Sequence, residues 1–251
     1  MELTLAIDYD HSSNIHGEEG PRQVFPCLVP GLSPSSVLDV GCGTGTWLRA
    51  ALDAGVEDVF GIDGVEIPPE RLRVPRECLM FRDLTTPIDL GRRFDLAICL
   101  EVAEHIDAEH ANTLIRTLAR HSDCIVFSAA APGQLGQHHV NCEPPGAWQR
   151  RFNELGFFCD DEVRWRLWEE IRLEPWYRQN MFIARKSPSR ASREPRIKTV
   201  IHPEMLRYMQ PGSLMGDIEG GSMPATWYVR ASMKSFAAKA RRKVLNFGRT
   251  I

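Results

Sequence analysis

Two histidines stand side by side, His138 and His139, in a polar stretch running from Ser128 to Asn141, and a third, His105, follows directly on Glu104. Imidazole is the side chain whose ordinary charge change falls between about pH 5 and 8. His139 and His138 are therefore the first candidates for a general base, with His105 as the rival. A base is needed where a proton must leave a group that does not ionise near neutrality, such as an aliphatic hydroxyl. A divalent metal that lowers the hydroxyl pKa is the other way to the same end. The bland alternative is that one histidine only fixes its loop or holds a ligand's carboxylate. Metal ligands would come from the loop histidines with Glu101, Glu143 and Asp160. Adjacent histidines in one loop lack the i, i+4 geometry of helical zinc motifs, and magnesium prefers carboxylates, so no metal site is assigned.

A second group of chemically apt residues lies in SVLDVGCGTGTWLRAALDAGVEDVFGIDG, residues 36–64. Val37, Leu38 and Val40 form an apolar run suited to a parallel strand buried on both faces, and Gly41, Cys42, Gly43, Thr44 and Gly45 end it. The glycines at 41, 43 and 45 let a ligand approach the main chain. A helix over 46–54 then points its free N–H groups at that ligand. The strand predicted over 58–62 closes on Asp63, twenty residues after Gly43, where a doubly wound fold places the acid that accepts hydrogen bonds from ribose hydroxyls. The third glycine comes two residues after the second, which is not the dinucleotide spacing G-x-G-x-x-G, and there is no Walker-type Gly-Lys-Ser/Thr.

The order acid, x, Gly, x, Gly, x, Gly, matched by Asp39, Gly41, Gly43 and Gly45, resembles motif I of class I S-adenosylmethionine-dependent methyltransferases. That resemblance implies a Rossmann-like α/β fold, doubly wound, with a mostly parallel seven-stranded sheet, and S-adenosylmethionine as cofactor. It implies that Asp39, Gly41, Gly43, Thr44, Gly45, Asp63, Gly64, Leu100 and Glu101 line the cofactor. Asp83 would hold the adenine amino group beside Leu84, and Tyr9 and His11 of an N-terminal lid would line the methionine end. A cofactor with a sulfonium and an ammonium in place of phosphates agrees with a carboxylate at the strand end. The segments LDVGCGTGTWL, FDLAICLEVAEHI, FSAAAPGQLGQHHVN and WYRQN together look like a bacterial group of these enzymes found among glycan and surface-polysaccharide functions, over roughly residues 1–186. In that group the loop reads Gly-His before Val-Asn. Here His138 precedes His139 and Cys142 stands where Glu is common, so His139 inherits the family position. The group implies a sugar, nucleotide-sugar or glycan acceptor, with Gln134, Asn141, Trp176, Tyr177 and Asn180 as acceptor contacts. N- or carboxyl-methylation of a small metabolite, and a cofactor-binding subunit without catalysis, are the competing functions.

The elements that must position these residues can be read along the chain. Prolines break the segment 21–32, which is expected to be a loop and a short helix covering the sheet edge. Strands are predicted over 78–81, 94–100, 124–127, 157–163 and 180–184. Asp107 is expected to cap a helix whose apolar residues Ala111, Leu114, Ile115 and Leu118 recur at i, i+3, i+4 and i+7. A further helix carries Trp148, Phe152 and Leu155 and stops at Gly156. The tryptophans are divided between core packing and stacking on an acceptor, with core the commoner use of large aromatics.

The chain of 251 residues is 43% hydrophobic and 25% charged, ordinary globular composition for one α/β domain with an appendage. The net charge of -3 provides no global field for nucleic acid, which is excluded as a partner. The opening MELTLAIDYDHSS lacks the basic region and apolar core of a signal peptide. Seven cysteines, an odd number with no C-x-x-C pair, read as reduced side chains in a cytoplasmic protein.

Residues 187–251 change character. The stretch 187–196 is linker-like, rich in proline and serine with few apolar groups. Beyond it Val229, Met233, Phe236, Ala237, Ala240 and Val244 fall on one helical face, and Lys234, Lys239, Arg241, Arg242, Lys243 and Arg249 make the last eighteen residues basic without an acid. Such a helix suits packing on its own domain or on a second subunit, as in a homodimer. Its basic face also suits an anionic membrane surface or a phosphorylated carrier.

Overall fold

A computed structural model describes residues 9–11 and 17–209. The chain divides after Met205 into two units, 1–205 and 206–251, and the second is described only over the short helix Leu206–Met209. The basic tail and its amphipathic face lie outside the described residues.

The first unit is built on a seven-stranded sheet of order β3-β2-β1-β4-β5-β7-β6. Its strands are β1 (Ser36–Val40), β2 (Asp58–Asp63), β3 (Leu79–Phe81), β4 (Leu96–Leu100), β5 (Cys124–Ser128), β6 (Phe157–Asp160) and β7 (Phe182–Lys186). β3, β2, β1, β4 and β5 run parallel, while β7 enters antiparallel between β5 and β6. Strand period two sorts the side chains. Leu38, Val40, Ala97, Cys99, Ile125 and Phe127 pack into one apolar layer, and Val37, Leu96, Ile98 and Val126 into the other. The helices α1 (Glu19–Val24), α2 (Thr46–Asp53), α3 (Ala111–His121), α4 (Pro145–Glu154), α5 (Glu162–Leu167) and α6 (Pro175–Asn180) complete the layers. Trp148 and Phe152 of α4 are core residues, Trp148 lying 5.4 Å from Phe127 between ring centres.

Several boundaries differ from those expected. α1 packs chiefly on α2 instead of on the sheet edge. Asp107 caps nothing with its side chain. Its carbonyl accepts from His110 N in a turn, and α3 begins only at Ala111, so the carboxyl is left at the surface. The predicted strand 157–163 ends at Asp160, because Val163 turns into α5 and buries there. Asn180 closes α6 and does not open β7. Cys78 lies in the 3-10 turn Arg76–Cys78 just before β3. All seven cysteines are free, and among the described residues no helix is long and apolar enough to cross a membrane.

The largest difference is at residues 187–205, which are not a free linker but a strap laid back over α4, α5 and α6. Glu194 Oε1 accepts from Asn153 Nδ2 at 2.6 Å, from Cys159 N at 3.0 Å and from Gln149 Nε2 at 3.2 Å. Ile197 N donates to Gln149 Oε1 at 2.8 Å, and the Ile197 side chain joins the core layer of Phe127 and Trp148. Two buried arginines clamp the rest: Arg164 donates to Lys198 O at 3.0 Å, and Arg178 pairs with Glu204 at 2.8 Å. Proline and serine content suggested a spacer, yet Glu194, Ile197 and the two buried arginines seat the segment. Ile197→Ala should therefore cost about 2–5 kcal/mol, as deletion of a buried Ile side chain does. A urea midpoint within error of the wild-type value would show the strap to be peripheral.

Candidate functional site

The strand order reverses at β1, which has β2 on one side and β4 on the other, and in an open α/β sheet ligands bind beyond the carboxyl ends of the strands at such a point. The glycine turn sits there. Gly41, Gly43 and Gly45 all adopt positive φ, 81°, 52° and 85°, which a side chain rarely tolerates. An added Cβ at Gly41 would also overlap the Val102 side chain. The turn is held from the side by Asp63, whose Oδ2 accepts from Gly43 N at 2.7 Å and whose Oδ1 accepts from Val65 N at 2.9 Å. Asp39 is 3% exposed, and its carboxyl has no hydrogen-bond partner among the described residues. Burial, and then the neighbouring Asp63, push its pKa well above the usual carboxylate range. Thr44 is buried, its hydroxyl 3.1 Å from that of Thr46. Asp83 Oδ1 accepts from Thr85 N and Oγ1 at 2.8 and 2.7 Å next to buried Leu84, and Gly64 is partly buried.

β4 ends in buried Leu100, and Glu101 follows with φ 54°, a left-handed conformation that costs a non-glycine residue of order 1–3 kcal/mol. The bend is fixed by Glu101 N donating to Ser128 O and Oγ at 3.0 and 3.1 Å. It sets the carboxyl among amides: Gln134 Nε2 donates at 2.9 Å and Asn180 Nδ2 at 3.2 and 3.3 Å. Asn180 Nδ2 also donates to Gln134 Oε1 at 2.9 Å, and Gln179 Nε2 to Asn180 Oδ1 at 3.1 Å, closing a buried polar network. Burial still raises the Glu101 pKa to about 7, with the hydrogen bonds from Gln134, Ser128 and Asn180 opposing it.

Three residues further on, Glu104 is wholly buried. Its carbonyl accepts from Val140 N and Asn141 N at 2.9 and 3.0 Å, pinning the histidine loop, while neither carboxyl oxygen is hydrogen-bonded among the described residues. Only its own amide and that of Ala130 face the carboxyl, without bonding geometry, and burial, then Glu101, raise its pKa well above the usual range. Ligand atoms of Glu104, His105 and His139 lie within 4.8 Å of one another. His105 Nδ1 is 3.3 Å from His138 O, and His139 Nδ1 is 3.0 Å from Gln134 O and 3.7 Å from Cys142 Sγ. Desolvation lowers both imidazole pKa values, that of His105 to about 4.

The two halves of the site are joined by the N-terminal segment. Tyr9 packs edge-on against both His11 and His105, with ring centres 4.9 and 4.7 Å apart, and His105 lies 5.1 Å from His139. His11 Nε2 is 3.4 Å from Asp63 Oδ1. Asp10 N donates to Gln137 Oε1 at 2.6 Å and Gln137 Nε2 to Asp10 O at 3.2 Å, so the segment is tied to the histidine loop.

The structure thus brings together Asp39, Gly41, Gly43, Asp63, Glu101, Gln134, Asn180, His105, His139, Tyr9 and His11. Other candidates take different places. His138 is exposed at φ 50° and contributes its carbonyl, so His139 and His105 form the imidazole pair. Asn141 is buried, its amide 3.5 Å from Ala103 O, and serves the loop. Tyr177 packs edge-on against Trp47 with its centre 5.5 Å away, and Trp176 against Tyr177 at 6.1 Å. The metal ligands considered from sequence disperse: Glu143 is clamped by Arg151 at 2.6 and 3.0 Å, and Asp160 pairs with Arg185. Sequence reading missed Gln179, Gly136 and the placement of Glu104. The last was signalled by the Glu101, Glu104 spacing at a strand end.

The sequence model of the methyltransferase domain matches residues 19–167, more than half of the chain, and the chain belongs to this family. Solved structures show the same fold at low identity. The methyltransferase domain of bacterial CtHen1-C is similar at 17% identity and TM-score 0.51, over 68% of this chain and 98% of that one. DesVI of Streptomyces venezuelae is similar at 15% and TM-score 0.53, over 68% and 92%. A putative O-methyltransferase from Nostoc punctiforme is similar at 16% and TM-score 0.51, over 67% and 56%. No curated protein matches the sequence.

The Gly41 environment yields a direct test. Gly41→Ala meets both the positive φ and the Val102 side chain, and should destabilise by about 2–4 kcal/mol. In a double-mutant cycle, Val102→Ala should recover more than about 1 kcal/mol of this, because it removes the overlap while leaving the backbone cost. Additive effects in urea denaturation would show that Val102 does not confine the turn.

Proposed function

We propose that the protein transfers a methyl group from S-adenosylmethionine to a hydroxyl of a sugar, nucleotide sugar or glycan intermediate. The observation that carries the reading is the convergence of the glycine turn and its acids with the imidazole pair His105 and His139, bridged by Tyr9. The residues fit the cofactor. The buried, unpartnered carboxyl of Asp39 suits a cationic ligand and opposes a pyrophosphate. Asp63 accepts one amide on each oxygen, and with His11 3.4 Å from Oδ1 its Oδ2 is the freer acceptor for a ribose hydroxyl. Gly41, Gly43 and Gly45 keep the approach free of side chains, and Leu84 and Asp83 offer an apolar wall and an acceptor for an amino-substituted base.

When bound, S-adenosylmethionine supplies a methyl group on a sulfonium that is already a strong electrophile. The chain has to hold the acceptor in line and handle its proton. Alignment is the larger contribution, equivalent to roughly 7–11 kcal/mol, against about 10²–10⁴-fold for proton removal. Proton removal falls to the imidazole pair, whose ring positions are set by the carbonyls of Gln134 and His138. The ring of Glu101, Gln134 and Asn180 beside them presents donors and acceptors to a polyhydroxylated acceptor.

Two measurements test the reading. Asp63→Ala should weaken S-adenosylhomocysteine binding by about 1–3 kcal/mol, the worth of charged hydrogen bonds, and unchanged affinity by calorimetry would remove Asp63 from the site. His139→Ala should keep that affinity within a few-fold and lower single-turnover methyl transfer by about 10²–10⁴-fold, once an acceptor has been found by screening nucleotide sugars with isotopically labelled cofactor. Label appearing on nitrogen, with turnover insensitive to His139, would replace hydroxyl transfer by amine transfer.

A further inference from the structure

We propose that Glu104, His105 and His139 form a binding site for a divalent first-row metal cation of the Mn²⁺, Fe²⁺ or Zn²⁺ type. The proposal does not rest on the methyl-transfer reading; with a cation bound, the two imidazoles would serve as its ligands and not as free bases, and the cation would be the group that lowers a bound hydroxyl's pKa. The proposal rests first on Glu104, a wholly buried carboxylate with neither oxygen hydrogen-bonded among the described residues. A buried polar group is normally paired, and a buried charge is paired or coordinates a metal. The three ligand atoms lie within 4.8 Å of one another. Ligands about 2.1 Å from a common metal lie about 3 Å apart when adjacent and about 4.2 Å apart when opposite, so small side-chain rotations close the site.

The surroundings of the two imidazoles supply the independent observation. Each has Nδ1 beside a backbone carbonyl, His105 beside His138 O at 3.3 Å and His139 beside Gln134 O at 3.0 Å. An Nδ1–H donated to a carbonyl leaves Nε2 as the nitrogen with the lone pair, the tautomer in which metal-binding histidines are commonly held. The His139 ring lies directly against Gly136. An added Cβ there would overlap Nε2. Both loop and strand end are held in this arrangement by Glu104 itself, through its carbonyl bonds to Val140 N and Asn141 N. Two imidazoles and one carboxylate suit transition metals better than Mg²⁺ or Ca²⁺, which prefer all-oxygen shells, and three protein ligands leave positions open for water or another oxygen ligand.

Mn²⁺ is the probe of choice, because the seven free cysteines would take up Zn²⁺ adventitiously. Untagged full-length protein, stripped with chelator and desalted, is titrated with Mn²⁺ by calorimetry and by loss of the free-ion electron paramagnetic resonance signal. Wild type should bind at one site per chain, and Glu104→Gln and His139→Ala should each weaken that site at least about 100-fold, more than the loss of an outer-shell partner costs. A parallel titration with S-adenosylhomocysteine separates the two readings. Retained binding in Glu104→Gln shows a folded protein whose loss of Mn²⁺ is specific, whereas failure of wild type to bind S-adenosylhomocysteine would count against methyl transfer alone. If Glu104→Gln does not fold, His105→Ala, at a partly exposed position, carries the same test. Absence of one-to-one Mn²⁺ binding in wild type, or wild-type affinity kept in the folded variants, would overturn the site and leave Glu104 a neutral packing residue.

Discussion

Four carboxyl groups placed at or just beyond the ends of β1, β2 and β4, where the protein shields them from water, constrain everything around them. Asp39, Asp63, Glu101 and Glu104 cannot all be charged and unpaired in such a place, and each meets the cost of desolvation differently. Asp63 accepts from the amides of Gly43 and Val65, and Glu101 from the side-chain amides of Gln134 and Asn180, which oppose the burial that raises its pKa to about 7 without cancelling it. Asp39 and Glu104 have no such partners among the described residues, and their pKa values are driven up. The Gly43 amide meets Asp63, the left-handed bend at Glu101 sets its carboxyl beside Gln134 and Asn180, and the histidine loop docks on the main-chain carbonyl of Glu104.

How much of this was legible in the sequence depended on whether the governing physics was local. The β1 to β2 unit was readable because a buried parallel strand, a glycine turn and a terminal acid follow one another within a single stretch, and the observed elements Ser36–Val40, Thr46–Asp53 and Asp58–Asp63 lie within a residue of the expected ones. The face of α3 was equally plain from its spacing, with Ala111, Leu114, Ile115 and Leu118 all buried. Asp107 looked like a cap because its type is right and its position nearly so, but a turn intervenes. Val163 is separated from the apolar Phe157, Phe158 and Cys159 by Asp160, Asp161 and Glu162, and this break is where the strand ends and α5 begins.

The failures share one cause: they are contacts between residues far apart in the chain. The strap 187–205 has the composition of a linker, and nothing near it announces that Glu194 will meet Asn153, Gln149 and Cys159 N. His138 and His139 are indistinguishable as residue types. The positive φ of His138 and the carbonyls of Gln134 and Glu104 determine that one ring is exposed and the other partly buried. Glu104 was passed over beside its more obvious neighbour His105, since the burial that makes it unusual is a property of the folded β4 end and of the loop closing over it.

The paired hydrogen bonds between Asp10 and Gln137 couple two regions that the chain separates widely. On one side of the tie, His11 leans on Asp63 and Tyr9 on His105. On the other, Gln137 is two residues from His139. A displacement of the N-terminal segment large enough to clear Asp63 must either break both bonds or drag the tip of the 128–141 loop with it. The Asp10–Gln137 pair thus makes residues 9–11 and the 128–141 loop one hydrogen-bonded unit that touches both the glycine-turn side and the imidazole side.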